Sequence, residues 1–436
     1  MGAATPRPIA FLMICAQKET MKTALHADVV IVGGGMAGAT LALALDQAGI
    51  TPVVIDSTPL DTRLAPEFDG RAFAIAYACM RHWHKLGVGE ALAAHAQPIE
   101  DILVTDGRMT ATGVKPGPWH LRFLAAETTD HGDGTDTEAL GYMLEARHIR
   151  AVLSQALVDR GIETLAPVHP AHLETKPQGV TVTLDDGRTV SAQLIVGADG
   201  ARSWVRQAAE IETSGWDYHQ DALVLTVGFE RPHKGVAHEV FLPGGPFAIL
   251  PLTGGRANIV WTEPRKTAAG LMALPHEAFV AAFARRFGDH LGKVELLTPV
   301  WRYPLRLQRA LHTTAPRLAL VGDAAHVIHP LAGQGLNLGL KDVAALAETL
   351  AEAQHIGEGL GAETTLARYA RSRHFDEAAM AYGMDGFKHL FSNDIAPVRL
   401  ARGLGLAAVD ALPPLRTLFS RIAGADVGDV PKGLKR

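Results

Sequence analysis

Runs of β-branched residues that end in glycine and lead into a helical pattern of small residues recur along the chain. The first, DVVIV at 28–32, is apolar at every position after the aspartate, as in a parallel strand buried on both faces. A glycine loop follows at once. Residues 36–47, MAGATLALALDQ, are good helix formers with small side chains for the sheet side, Gly49 closes the helix, and TPVVID at 51–56 returns as a second strand. The spacing predicts a βαβ unit.

Further along, the period changes. VTVTLDDGRTVSAQL at 180–194 alternates about an Asp186-Gly187 hairpin turn, and strand-like runs follow at 222–229, 239–242, 247–252 and 257–261, separated by turns rich in Pro and Gly. They predict an antiparallel sheet. Strand and glycine motifs resume at Leu318, so this sheet should be inserted into a discontinuous first domain. Residues 336–350 and 362–391 read as helix. The expected fold class is α/β. A discontinuous Rossmann-like domain covers 25–103, 138–206 and 300–355; an inserted antiparallel β-sheet domain, the substrate side, covers 104–137 and 207–299; a helical C-terminal region covers 356–436.

Composition narrows the class. The net charge of -5 is small for 436 residues and no block of like charge occurs, which argues against nucleic-acid binding. Cys15 and Cys79 form no CxxC pair or metal-type spacing, so a disulfide framework is excluded and a reducing, cytoplasmic compartment fits. No apolar run reaches the roughly 18 residues of a spanning helix, which predicts a soluble protein or one peripheral at the inner membrane. Residues 9–15, IAFLMIC, have the shape of a very short signal-peptide core, with a thin positive region and a poor cleavage site. Met21 opens MKTALHADVVIVGGG, so residues 1–20 read as an extension whose removal should be harmless. At 397–424 Arg is mixed with Leu, Val and Phe at helical spacing; a helix packed on the core and a face for a membrane or partner both fit.

The chemistry gathers in three motifs. Gly33, Gly35 and Gly38 form G-x-G-x-x-G between a strand and a helix, where the backbone can approach a pyrophosphate, and Asp56 ends the next strand at the distance suited to a ribose hydroxyl. IVGADGARSWVR at 195–206 runs from a strand into Asp199 and Gly200; an ordinary strand-to-helix turn would look the same. In LALVGDAAHVIHPLAGQGLNLGLKDVAALAETL at 318–350, a strand delivers Gly322 and Asp323, and a Pro-Gly loop leads into a long helix. Asp323 is placed to accept from a ribitol hydroxyl, and the amides of Gly335, Leu336 and Asn337 to face a flavin's pyrimidine edge. His326 and His329 read as packing residues, since no carboxylate and cysteine set completes a metal site. Ser203 lacks the G-x-S-x-G frame of a nucleophile elbow.

In this order and spacing the motifs resemble the aromatic hydroxylases of the group A flavoprotein monooxygenases, a fold related to p-hydroxybenzoate hydroxylase. DGRAFAIA at 69–76, LGYMLEARHIRAVL at 140–153, the third motif and LFSNDIAPVRLARGLGLAAVD at 390–410 resemble the ubiquinone-biosynthesis hydroxylase family, over nearly everything from residue 27 to 424. The resemblance implies a Rossmann-like FAD-binding domain. It would place Gly33, Gly35, Met36, Ala37, Gly38 and Asp56 on the ADP half of FAD, and Arg71 and Arg147 at the flavin. Asp199 and Gly200 would line a groove shared with NAD(P)H; Gly322 and Asp323 would meet the ribityl chain; Pro330, Gly333, Gly335, Leu336 and Asn337 would meet the isoalloxazine. Arg71, Pro330 and Gly335 would be the catalytic positions. The family often has a polar pair where this chain has Ala146 and Arg147, so only Arg147 is carried over.

By that resemblance, NAD(P)H reduces FAD, dioxygen is activated at the flavin, and an oxygen atom passes to the ring of a polyprenylated phenol. Three other readings stay open at this point: a hydroxylase of a small aromatic acid, a flavin-dependent prenyl reductase, and a flavin-binding scaffold of a quinone-synthesis assembly.

Overall fold

Val29–Val32 is a strand with every residue buried, and it lies inside a six-stranded sheet. The sheet runs Thr314–Ala315, Leu318–Leu320, Leu194–Gly197, Val29–Val32, Pro52–Ile55, Thr164–Leu165, parallel except at its first pair. Val29 and Ile31 face the helix Met36–Gln47, whereas Val30 and Val32 pack on the opposite side with Val53 and Ile55. The helix shows little amphipathic contrast because it is sandwiched: the sheet lies on one side and the long helix Gln334–His355 on the other. Fully burying each of its leucines is worth about 1.5–3 kcal/mol. The computed structural model describes residues 24–65, 67–110, 113–125, 139–288, 291–328, 334–373, 421, 424–426 and 430–435. The expectations for residues 1–20 and for the segment 393–420 lie outside them.

The hairpin expected at Asp186-Gly187 is present, with Gly187 at φ +87°, but it forms no part of the large sheet. It sits in a four-stranded sheet with Ala24–His26 and Pro170–Lys176. The large sheet holds His326–Val327, Trp301–Ala310, Thr213–Phe229, Arg256–Pro264, Gly245–Leu252, Val236–Leu242, Asp101–Thr110 and Gly113–Leu124 in that order. Two features depart from the sequence reading. Val236–Leu242 runs parallel to Asp101–Thr110, because those strands come from chain segments far apart and no hairpin imposes the opposite sense. Trp301–Ala310, expected in the Rossmann-like part, belongs here. The partner Thr213–Phe229 is 17 residues long, and its pairing with Trp301–Ala310 carries the sheet out of the inserted region, with a bulge between Asp217 and Asp221.

This sheet has two distinct faces. Leu223, Leu225, Phe247, Ile249, Ile259 and Trp261 point to the helices Arg265–Met272 and His276–Phe287, where Phe279, Phe283 and Phe287 complete a core. Their alternates, among them Val224, Ala248 and Val260, point the other way, toward the Rossmann-like unit. That second face walls the functional cavity. The long third-motif helix begins at Gln334, two residues before the expected start, and residues 363–373 are helical; the expected continuation to 391 lies outside the described residues.

Candidate active site

A cavity of about 940 Å³ opens between the C-terminal ends of the parallel strands and the free face of the large sheet. It falls at the upper end of the ~300–1,000 Å³ of small-molecule sites. All three motifs reach it: Gly35, Met36, Ala37 and Asp56 from the first, Gly200 from the second, Asp323, Gly335 and Leu336 from the third.

The three glycines of the first loop have different physical duties. Gly33 holds φ +101°, and a Cβ there would fall 2.4 Å from the Ala198 carbonyl oxygen. At Gly38 it would fall 1.8 Å from the Gly33 oxygen. Both are demanded by the packing of the loop on its own fold. Gly35 is different: a Cβ would meet nothing within 4 Å, since the residue faces the cavity. It is also the N-cap of Met36–Gln47, with no side-chain cap and no acidic residue in the first turn, so the helix presents bare N–H groups there.

Beside this loop lies a group that the sequence reading missed. Arg63 is only 5% exposed, and none of its three side-chain nitrogens has a hydrogen-bond partner among the described residues. Burial lowers its pKa, with Asp56 opposing. A buried guanidinium without hydrogen bonds is costly unless an anion completes it. Asp56 receives the Gly34 amide at 2.5 Å and the Thr58 amide at 2.6 Å, which orients its carboxylate on the cavity wall. An open glycine, an uncapped helix and an unpartnered arginine together fit the ADP half of FAD.

Arg71 also lines the cavity and donates to Asp69 through Nε at 2.9 Å and Nη2 at 2.5 Å. Burial pulls the Arg71 pKa down, but Asp69, with Tyr303 and Asp323, outweighs it and the net direction is up. Burial likewise opposes the Asp69 charge, and Arg71 and Arg150 hold its pKa below the ordinary value. Arg150 reaches Asp69 at 2.8 Å, and the Tyr303 hydroxyl donates to the Asp69 carbonyl at 2.8 Å. The expected Arg147 is elsewhere: it pairs with Glu145 and lies over the Phe68 ring. Arg150, one helical turn later, takes the wall position, because the helix Ala146–Asp159 turns the two residues to different neighbours.

In the third motif, Asp323 sits in a short turn, Gly322–Ala324. Protein surrounds its carboxylate, which stays accessible from the cavity; burial raises its pKa against His326, Arg71 and Arg306. The turn is anchored from behind by Asp342, a residue the sequence reading did not select. Its Oδ2 accepts from the Gly322 amide at 3.0 Å and pairs with His326 Nε2 at 2.6 Å, while Oδ1 accepts from Arg373 Nε at 2.9 Å. Burial works against the Asp342 charge, but His326 and Arg373 keep its pKa below the ordinary value. Arg206 joins the second motif to the third by donating to the Ala324 and Ala201 carbonyls.

Gly335 and Leu336 line the cavity in the first turn of Gln334–His355, a turn without acidic residues. The Asn337 side chain is engaged otherwise: its Oδ1 accepts from the Ala76 amide and its Nδ2 donates to the Ala74 carbonyl, which locks the helix start to the strand Ala72–Ala76. Asp199 accepts from the amides of Trp204 and Val205, and its other oxygen has no hydrogen-bond partner among the described residues. Ser203 caps Trp204–Ala208. Pro330, Gly333 and His329 lie outside the described residues. The opposite wall is the sheet, with Ala222, Val224, Glu239, Ala248, Leu250 and Val260.

Comparison with known proteins agrees with this geometry. Residues 26–381 match the family model described as FAD binding domain. The chain is 48% identical over 398 residues to the ubiquinone hydroxylase UbiL of Rhodospirillum rubrum, covering 91% of this chain and 89% of that protein. It is 36% identical over 385 residues to the 3-demethoxyubiquinol 3-hydroxylase of Escherichia coli, covering 88% and 94%. The crystal structure of p-nitrophenol 4-monooxygenase PnpA from Pseudomonas putida DLL-E4 has a TM-score of 0.76 at 18% identity, covering 93% of this chain and 99% of that one, so the fold is shared.

Proposed function

The chain belongs to the FAD-binding hydroxylases of ubiquinone biosynthesis, and from that membership we propose that it uses NAD(P)H and dioxygen to hydroxylate the ring of a polyprenylated phenol. The observation that carries the reading is the pairing of two unlike walls around one cavity. One wall has the bare helix start at Gly35, the unpartnered Arg63 and the third-motif helix start at Gly335; the other is a largely hydrocarbon sheet face.

When bound, FAD supplies the hydride acceptance and oxygen activation that no side chain provides. The amides from Gly35 to Ala37 and the Arg63 guanidinium would hold its pyrophosphate, and Asp56 a ribose hydroxyl. Asp323 would accept from the ribityl chain. The helix start at Gly335 and Leu336 would stabilise negative charge at the ring's pyrimidine edge without needing to reorganise. Arg71, held by Asp69, keeps a fixed cation at the cavity. Asp199 and Gly200 would serve the groove for the nicotinamide donor. Val224, Ala248, Leu250 and Val260 would exclude water from the reacting ring. A small aromatic acid is disfavoured beside Glu239, which would repel its carboxylate and whose opposed neighbours Val104 and Ala248 carry no charge.

Among the described residues no helix is long and apolar enough to cross a membrane. For a substrate with a long prenyl tail we assign the membrane-surface contact to 393–424, where Arg399, Arg402 and Arg416 alternate with leucines. Changing those arginines to Glu should lower turnover of a long-chain substrate more than of a short-chain analogue; an equal loss with parallel loss of FAD would make the segment a packing element.

The test of the main reading is direct. The purified protein should be yellow, release FAD on denaturation, oxidise NADH or NADPH in the presence of a short-chain prenylphenol, and add one oxygen atom to it by mass spectrometry. A protein that cannot be loaded with FAD, or one that oxidises the nicotinamide without ever oxygenating a prenylphenol, would overturn it.

A further inference from the structure

A cross-strand row of the large sheet reads Leu121, Val104, Glu239, Ala248, Val260, Val224. Directly opposed residues share a face, and here that face is the cavity wall: Glu239, Ala248, Val260 and Val224 all line it. Five members are hydrocarbon. The sixth is an acid, placed between Val104 and Ala248, and its carboxyl group makes no hydrogen bond or ion pair with any described residue.

That placement has a cost, since a carboxyl removed from water without partners is destabilising. Burial pushes the Glu239 pKa up to about 7, and no neighbouring charge contributes to the shift. The other ionisable groups on the cavity wall are Asp56, Arg63, Glu67, Asp69, Arg71, Arg150, Tyr303, Arg306 and Asp323, none of them on the strands that flank Glu239. On the flanking strands, Asp106 lies two residues from Val104, and no ionisable residue among 246–250 adjoins Ala248. A residue that weakens the apolar wall, has no internal partner and remains reachable from the cavity is suited to a ligand group. The dinucleotide features all come from the Rossmann-like side, so the group Glu239 faces belongs to whatever lies against the sheet.

We propose that Glu239 binds the ring hydroxyl of the phenol substrate, its carboxylate accepting the O–H hydrogen bond and so setting which way the ring turns against the apolar wall. The proposal deepens the substrate reading above and rests on it. A phenol O–H carried into a cavity needs an acceptor. Asn258 Oδ1 and Thr262 Oγ1 on the same sheet also have no partner among the described residues, but both atoms are fully buried, whereas Glu239 is only half-buried and reaches the cavity. A raised carboxyl pKa also lies closer to the value of about 10 for a phenol. The proton is then shared more evenly, and the ring oxygen gains electron density before oxygen transfer. The small residue directly opposed to it, Ala248, leaves room for a ring beside the acid.

The test uses the FAD-loaded enzyme without nicotinamide and two probes, a phenol with a single short isoprenoid substituent and its methyl ether. Dissociation constants are read from the flavin absorbance change. The parent enzyme should prefer the phenol by well over tenfold, because a site built to receive a hydroxyl rejects the analogue that cannot donate one. Glu239→Gln should reduce the preference about tenfold and Glu239→Leu should abolish it, with FAD content and melting temperature at least equal to the parent's. If Glu239→Leu is folded and FAD-loaded and keeps the full preference, the assignment is overturned while the substrate reading stands. If the parent binds neither probe, both fall together.

Discussion

The backbone amide of Gly322 donates to Asp342 Oδ2 at 3.0 Å, fastening the turn that presents Asp323 to the helix whose first turn presents Gly335. Two cavity elements that are separate along the chain are thereby held in one frame. The same carboxylate neutralises Arg373, which is fully buried, and meets His326. Asp342→Ala would remove the carboxylate that accepts from the buried Arg373 guanidinium and from the Gly322 amide. We expect a loss of about 3–5 kcal/mol in stability, as for other broken buried pairs, together with loss of FAD. Chemical denaturation monitored by far-UV circular dichroism and by flavin absorbance checks both; a variant as stable as the parent would show that the network is dispensable.

Gly35→Ala and Gly38→Ala should separate cofactor binding from folding. At Gly35 the added methyl meets only the cavity, so the apoprotein should stay within about 0.5 kcal/mol of the parent while FAD is retained several-fold less well. At Gly38 the methyl collides with the Gly33 carbonyl, and destabilisation on the order of 3 kcal/mol or more is expected. Thermal melts of the apo forms, with FAD titrations alongside, distinguish the two.

Arg63→Met exchanges a buried guanidinium for a flexible apolar side chain of similar length. The FAD-free protein should be unchanged or more stable, because the parent cation has no hydrogen-bond partner among the described residues, whereas the FAD dissociation constant should rise about ten- to hundredfold. Equal FAD affinity in parent and variant would remove Arg63 from the pyrophosphate site.

Glu239 gives stability a pH dependence of known sign. Its carboxyl titrates near 4.5 when unfolded and near 7 when folded, so ionisation favours the unfolded chain. This destabilisation is absent below pH 4.5, grows as the pH rises, and is complete above pH 7. The substrate-free Glu239→Gln enzyme should therefore gain on the parent between pH 5 and pH 8, by something on the order of 2 kcal/mol. Melting curves at the two pH values test it, and a constant gap between the proteins would contradict the shift.

Asp323→Ala should weaken FAD retention and leave the apoprotein folded, because the carboxylate faces the cavity and the turn that carries it is held by Gly322 and Asp342. Flavin occupancy equal to the parent's would limit Asp323 to a structural part in its turn.

Much of the molecule was legible in the sequence wherever the signal was local. DVVIV, the glycine loop and TPVVID specify strand, turn and helix within about thirty residues, because backbone geometry and burial act on neighbours. The Asp186-Gly187 hairpin and the helix of the third motif were readable for the same reason. The three motifs also converge on one cavity, since Gly35, Asp56, Asp323 and Gly335 are tied to their positions by the elements they end or begin.

Tertiary structure decided the rest. Whether Arg147 or Arg150 reaches the cavity depends on how one helix is rotated against Phe68, Glu145 and Asp69, and one turn of sequence carries no such information. Arg63 and Asp342 looked like ordinary surface and helix residues until distant segments closed over them. Glu239 is the clearest instance. Its row joins residues 104, 121, 224, 248 and 260, and a slip of one residue in its own strand's pairing with the strands of Val104 and Ala248 would turn it toward the helices instead of the cavity. Sequence determines the side chains along each strand; the register between strands, set by non-local packing, determines which of them meet.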